Sequence, residues 1–142
     1  MHNKINSWVL SACFITATPL IVTEVSAASN LDGTANIVCA SMDVVACVEG
    51  SACIQGSAQS FDLPQFVILD TKKKVMRADY ESGHKGTSSV KNIEKSDGHL
   101  VMQGIEKGRG WSIAINTKSG DMSGALAGDG VSFLIFGNCT SL

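Results

Sequence analysis

The chain has 142 residues, of which 11 are lysine or arginine and 13 are aspartate or glutamate, so its formal net charge is −2. A chain of this length allows one domain and hardly two. Binding to nucleic acid through phosphate contacts needs a concentrated basic surface, whereas the only basic run here is Lys72-Lys73-Lys74. The charge balance therefore argues against a nucleic-acid partner, and we interpret the three lysines as a solvated turn.

The start of the chain has the pattern of a secretory signal peptide. Lys4 provides a positive start, Trp8–Val22 is mostly apolar, and small residues cluster at Val25–Ala28. A positive start, an apolar middle and a small-residue end are the three parts of such a signal. We therefore predict a signal peptide over 1–27 and one exported domain over 28–142, periplasmic or secreted, with no stable membrane insertion after cleavage.

This segment has two alternative interpretations, a membrane anchor and a lipoprotein signal. A membrane anchor needs about 20 apolar residues, and Thr16, Thr18, Pro19 and Thr23 interrupt the run. The sequence Leu10–Cys13 matches a bacterial lipobox, but its apolar core is shorter than the roughly 7 residues expected. We favour cleavage after Ala27 or Ala28, where small residues occupy the positions that signal peptidase reads.

Four cysteines, Cys39, Cys47, Cys53 and Cys139, remain after removal of this signal and of Cys13. An even number in a small exported domain indicates two disulfides, for which three connectivities exist. We favour Cys47–Cys53, which closes a short loop, and hence Cys39–Cys139, which joins the first strand to the last. The chain has no Cys-x-x-Cys pair, so a metal site is disfavoured.

Turn signals recur through the C-terminal half about every 10–12 residues, the rhythm of consecutive antiparallel strands. They are Asp97-Gly98, Gly108-Arg109-Gly110, Ser119-Gly120 and Asp129-Gly130. Between them, apolar residues alternate with small or polar ones, so each apolar set is predicted to share one strand face. The sets are Trp111, Ile113 and Ile115, then Met122, Gly124 and Leu126. The last segment, Val131–Phe136, is apolar on both faces, as in a strand that is covered on both sides or in one with an apolar outer patch.

Earlier strands are predicted over 37–48, 66–69, 75–78 and 89–95, and a loop over 79–87. No 3.6-residue period appears after the signal peptide. The pattern therefore predicts an all-β domain, a small antiparallel up-and-down meander of about eight strands that closes into a barrel. Two disulfides are predicted to cross-link it. A two-sheet sandwich is the alternative, and a barrel this small is expected to be filled by its own side chains.

Seven residues are candidates for a binding surface. They are Asp43, Tyr80, His84, Arg109, Trp111, Phe133 and Phe136. Asp43 interrupts an apolar strand, on the predicted face of Cys39, Ser41, Val45 and Cys47, and must be solvated or hydrogen-bonded there because burying a lone carboxylate is costly. Trp111 follows a Gly-Arg-Gly run that permits close approach, although tryptophan on the apolar face of a barrel more often belongs to the core.

No constellation for catalysis is visible. The chain lacks Gly-x-Ser-x-Gly, a P-loop and His-Glu-x-x-His. His84 and His99 have no positioned partner in the sequence pattern, and Asp97, Asp121 and Asp129 lie at turns, where aspartate caps the local backbone. We therefore predict a non-enzyme with no catalytic residues, no cofactor and no bound metal.

The C-terminal third resembles a known group. Its runs are Ser96-Asp97-Gly98, Gly108-Arg109-Gly110-Trp111-Ser112, Gly120-Asp121-Met122-Ser123 and Phe136-Gly137-Asn138-Cys139-Thr140. Together they are similar to small exported bacterial proteins of Gram-negative, proteobacterial source, a group with no assigned function. The resemblance covers roughly 37–140 and implies no catalytic residue. The Gly-Arg-Gly-Trp run is also similar to the Gly-x-Trp of lipocalins, but theirs opens the first strand, so that likeness implies barrel architecture only.

The sequence therefore predicts an exported binding module for a small apolar molecule or an envelope component. The alternative is a protein inhibitor of a hydrolase, with the loop Tyr80–Thr87 entering the cleft of its target. The barrel interior discriminates between ligand classes. A cavity of about 300 Å³ or more favours a small ligand, and a filled interior favours a protein partner.

Overall fold

The computed structural model describes residues 30–79 and 85–142, so the predicted signal peptide over 1–27 lies outside it. This part of the chain is all-β, with one short 3-10 helix at Gln59–Phe61. The strands are β1 (Ile37–Val48), β2 (Ile54–Gly56), β3 (Phe66–Asp70), β4 (Val75–Asp79), β5 (Lys85–Ser96), β6 (His99–Glu106), β7 (Arg109–Asn116), β8 (Asp121–Gly128) and β9 (Val131–Ser141). All except β2 form a closed antiparallel barrel, because β9 pairs back onto β1. The predicted barrel is confirmed.

The seam between the first and last strands is cross-linked. Cys39 and Cys139 are directly opposite in the β1–β9 register and form one disulfide, and Cys47 and Cys53 form the other. Both predicted pairings are confirmed. The first bond joins the two ends of the barrel sheet, which leaves no open edge along the seam.

A β-bulge in β1 changes which residues face the barrel interior. The register against β9 shifts between Ser41 and Asp43. Cys39 and, beyond the bulge, Val44 are both fully buried, so one extra residue has been inserted into the alternation. The prediction that Asp43 shares a face with Cys39 and Ser41 is therefore wrong. Asp43 is exposed on the outer wall of the barrel.

The inward-facing side chains form one continuous core. Its members with no measurable exposure are Ile37, Cys39, Leu69, Leu100, Met102 and Ile115. Trp111 and Met122 are also buried, so the strand faces predicted for β7 and β8 are confirmed. The turn between β5 and β6 has positive φ at Asp97 (48°) and Gly98 (77°), which is the geometry that a two-residue hairpin needs.

The chain preceding β1 closes one end of the barrel. Leu31 is 1 % exposed and belongs to the core, and the Thr71 hydroxyl donates a hydrogen bond to the Gly33 carbonyl. Thr34 donates from its hydroxyl and its backbone N–H to the Asp32 carboxylate, at 2.6 and 2.9 Å. These bonds hold the pKa of Asp32 below its usual value. Asn30 to Asn36 thus form an ordered plug.

The opposite end is covered by residues 54–64, which we call the strap. It contains β2, which pairs only with the distal half of β1, and the 3-10 helix. Ala58 is fully buried, and the Phe61 ring packs edge-on against Phe133 with ring centroids 6.1 Å apart. The sequence analysis predicted neither β2 nor the helix.

The predicted loop over 79–87 is wrong in part. Asp79 ends β4 and pairs with Lys85 at the start of β5, and Arg77 pairs with Thr87. Residues 80–84 lie outside the described part of the chain. The segment resembled a loop because Lys85 and Thr87 are polar and exposed, and Gly86 between them has no side chain.

Two facts bear on where the protein resides. The two disulfides are compatible with an oxidising, extracytoplasmic compartment. Within 30–79 and 85–142, no helix has the length and apolar character needed to cross a membrane.

Candidate functional site

A small apolar cavity of about 90 Å³ remains inside the barrel, beneath the strap. Leu63 and Pro64 of the strap form its roof. Its walls are Val67, Met76, Ala78, Trp111, Ile113, Met122, Leu126 and Ile135. The space persists beside Gly124, where an added Cβ would lie 3.6 Å from Ile113 and 3.8 Å from Ile135. It can take one alkyl end or aliphatic side chain, but not a whole ligand of the usual size, which needs about 300 Å³ or more.

Trp111 is held rigidly in the cavity wall. Its indole Nε1 donates a 2.8 Å hydrogen bond to the Ser88 hydroxyl, which in turn lies 3.5 Å from the Ile105 carbonyl. The ring occupies the space left by the missing side chain of Gly104. Leaving a buried N–H unpaired costs about 1–3 kcal/mol, so the hydroxyl of Ser88 fixes the orientation of the ring.

A wider, charged mouth of about 420 Å³ lies next to the cavity. Leu63, Glu106 and Leu126 line both spaces, so the two adjoin and these three side chains lie between them. The charged residues of the mouth are Asp62, Lys85, Glu106, Lys107 and Arg109. Arg109 also forms an ion pair with Asp129, with Nε 3.7 Å from Oδ2. Three cationic and two acidic side chains thus surround the entrance to an apolar space.

The up-and-down topology explains why these residues meet. Successive antiparallel strands reverse direction, so alternate turns lie at the same end of the barrel. Lys85 begins β5, Glu106 ends β6 and Arg109 begins β7. The tight turn between Glu106 and Arg109 has positive φ at Lys107 (50°) and Gly108 (82°), which places the lysine at the rim.

This arrangement suits a ligand with two unlike parts. Binding sites typically combine an apolar lining with a few polar groups that set orientation. Here the cavity can desolvate a small apolar group, while the flexible lysines and Arg109 can contact a polar or anionic head that stays hydrated. Such a division would orient the ligand with its apolar end inward.

The candidates predicted from the sequence fall in two separate places. Arg109 and Trp111 belong to the mouth and the cavity wall, and Phe133 packs against Phe61 beside them. Asp43 and Phe136 are opposite each other on the outer wall, and Phe136 is 46 % exposed. One binding surface therefore cannot use all of them.

The outer wall carries an apolar patch of its own. Leu134 and Phe136 of β9 are about half exposed, and the residues opposite them on β8 are Ala125 and Ser123. Of the two alternatives predicted for the last strand, the structure therefore has the apolar outer patch rather than a strand covered on both sides. Exposed apolar patches of this kind often mark interaction sites.

None of the other candidate residues considered in the sequence is found at the mouth in the described part of the chain. Tyr80 and His84 lie outside the described residues. His99 is exposed at the start of β6, with Nδ1 3.1 Å from the Asp97 carbonyl oxygen. The Asp70 carboxylate caps the β3–β4 turn by accepting a 2.9 Å hydrogen bond from the backbone N–H of Lys73, whose ammonium lies 3.8 Å from the same carboxylate. No cluster of metal-ligating side chains is found in the described ranges.

Sequence reasoning missed Asp62, Lys85, Glu106 and Lys107 as residues of the site. The signal that could have found the last three is the topology itself. Once an up-and-down barrel is predicted, every residue beside an alternate turn belongs to one rim. Asp62 lies in the strap, and the sequence contains no comparable signal for where the strap runs.

Comparisons with known proteins add no assignment. No protein-family model matches the chain, and searches of curated proteins and of solved structures find no significant match.

Proposed function

We propose that the protein is an exported, non-enzymatic binding module that holds a small ligand by one apolar end at the barrel mouth. The apolar end enters the cavity beside Trp111, and the head of the ligand stays among the charged side chains of the rim. Lys85, Lys107 and Arg109 favour an anionic head. A short acyl or alkyl group of an envelope component has this chemistry.

The observation that carries the proposal is that the two spaces adjoin. An apolar cavity of about 90 Å³ lies beside a charged mouth of about 420 Å³, and the two share Leu63, Glu106 and Leu126 in their lining. A core that served stability alone would gain by filling the cavity, because lost contacts around a void cost free energy. Gly124 keeps it open instead.

The Gly124→Val substitution tests the proposal. A Cβ at this position meets its nearest neighbours at 3.4–3.8 Å, which is ordinary van der Waals contact, and Gly124 lines the cavity, so we expect the two methyl groups of valine to fill part of it. Valine also suits a strand interior better than glycine, and we expect the free energy of unfolding to rise by roughly 0.5–1 kcal/mol. Calorimetric titration with hexanoate should show binding weakened about tenfold or more.

Gly110→Val is the matched control, because Gly110 lies on the neighbouring strand, is exposed and has open space around an added Cβ. It should leave hexanoate affinity unchanged. Equal affinities for the wild-type protein and Gly124→Val would contradict the cavity as the binding site.

A protein partner is the second candidate. The exposed Leu134 and Phe136 and the nearly filled interior favour it, and inhibition of a hydrolase would be one form of it. Of the loop proposed for that role, residues 80–84 lie outside the described part and 85–87 belong to β5. Gly124→Val leaves the outer wall unaltered, so it separates this candidate from the first.

A further inference from the structure

The two disulfides differ in how well solvent reaches them. Cys39 is 0 % exposed and Cys139 is 3 % exposed, at the closed seam of the barrel. Cys53 is exposed and Cys47 is half-buried, at the base of the strap. Thiol–disulfide exchange depends on access of a thiolate to a sulfur atom. A reductant therefore meets the second bond first.

The same disulfide anchors the cover of the cavity. Its Cys53 immediately precedes β2, the first element of the strap. Within the described residues β2 pairs with β1 alone, over three residue pairs, and Ile54 and Gln55 are exposed. Beyond β2, the strap packs through Ala58 and through the contact of Phe61 with Phe133, and the Leu63 backbone N–H donates to the Ala58 carbonyl. The strap ends in Leu63 and Pro64, the cavity roof, and the next residue is fixed to β1, since the Gln65 carbonyl accepts from the Ser41 backbone N–H at 2.8 Å.

We propose that the strap is a redox-controlled lid. With the Cys47–Cys53 bond intact, it covers the cavity and admits only a small end group. Reduction removes the covalent anchor at the N-terminal end of the strap. The strap then turns outward about its C-terminal end at Gln65, which stays bonded to Ser41, and this rotation moves Leu63 and Pro64 away from the cavity. The cavity and the mouth then form one space larger than the roughly 300 Å³ that an extended ligand needs. This inference rests on the proposed binding at the mouth and adds its regulation.

The chemical step is exchange with a dithiol reductant. One thiolate of the reductant attacks Sγ of Cys53, the Sγ–Sγ bond breaks, and Cys47 leaves as a thiolate that takes up a proton. The second thiol of the reductant then displaces Cys53 from the mixed disulfide. Two electrons pass from the dithiol to the protein disulfide, and the reductant becomes a cyclic disulfide.

The experiment first maps which bond is reduced. The folded protein is treated with graded dithiothreitol, alkylated and analysed by peptide mass spectrometry, with circular dichroism to show that the barrel persists. We expect Cys47 and Cys53 to be alkylated at least about tenfold faster than Cys39 and Cys139. Equal rates for the four cysteines would overturn the proposal.

Lid opening is then measured by amide hydrogen exchange of residues 54–64 and by binding of dodecanoate. Exchange in the strap should rise about tenfold or more in the selectively reduced protein and in Cys47→Ser/Cys53→Ser, while β6 and β7 stay protected. Dodecanoate should bind at least about tenfold more tightly to both than to the oxidised protein.

The two readouts separate this proposal from the binding function. Faster strap exchange with no binding of hexanoate or dodecanoate in either form supports the lid and contradicts the proposed function. Unchanged strap exchange with equal dodecanoate binding in both forms contradicts the lid and supports the proposed function.

Discussion

The Cys39→Ala/Cys139→Ala variant should lose about 4–5 kcal/mol of unfolding free energy. The bond joins residues separated by 100 positions, and a loop of that length is the one whose closure removes the most entropy from the unfolded chain. Because a small domain has only about 5–15 kcal/mol in total, this loss amounts to between roughly a quarter and nearly all of its stability. Urea unfolding followed by circular dichroism measures the loss.

The second disulfide is the control for this prediction. Cys47 and Cys53 are separated by 6 positions, so Cys47→Ala/Cys53→Ala should lose only about 2 kcal/mol under the same model. Similar losses in the two variants would mean that the seam disulfide acts on the folded strands rather than on the unfolded chain.

Gly137→Ala should destabilise the barrel by about 3 kcal/mol or more. Gly137 is opposite Ser41, immediately before the bulge of β1, and an added Cβ would overlap the backbone carbonyl oxygen of Ala40. A backbone atom cannot move aside as a side chain can, so the β1–β9 pairing must distort, at the upper end of the cost of overpacking. Thermal and urea unfolding would both report it.

Gly110→Ala is the matched control. Gly110 is also a strand glycine without positive φ, but nothing lies within 4 Å of its added Cβ. Alanine there should raise stability by roughly 0.5–1 kcal/mol, since glycine is unfavourable inside a strand. If both variants were equally stable, the close approach of β1 and β9 at Gly137 would be refuted.

The barrel itself could be predicted because its signals are local. Alternation places Trp111 and Ile115 on one face, and Asp97-Gly98 and Asp129-Gly130 carry the positive φ that tight hairpins need. Once consecutive hairpins are given, the even cysteine count and the positions of Cys39 and Cys139 near the two ends of the domain indicate closure.

The features that the sequence did not predict, the bulge in β1 and the strap, depend on contacts between residues far apart in the chain. The bulge at Ser41–Asp43 follows from how β1 meets β9, and no local pattern distinguishes its extra residue from its neighbours. The strap has only three strand residues in β2, and it is ordered by Ala58 and by the contact of Phe61 with Phe133, which is far away in the sequence. The strand face of Asp43 and the residues of the cavity roof therefore could not be predicted from the sequence.

The most direct measurement of binding at the mouth uses Trp111 as the reporter. In the full chain with Trp8→Phe, Trp111 is the only tryptophan, and it lies in the cavity wall. Bromine quenches indole fluorescence only at close range, so the position of bromine on a hexanoate reports which end enters. We predict saturable quenching by 6-bromohexanoate and little by 2-bromohexanoate, whose bromine stays beside the carboxylate at the rim. Equal quenching by the two, or none by either, would contradict the account.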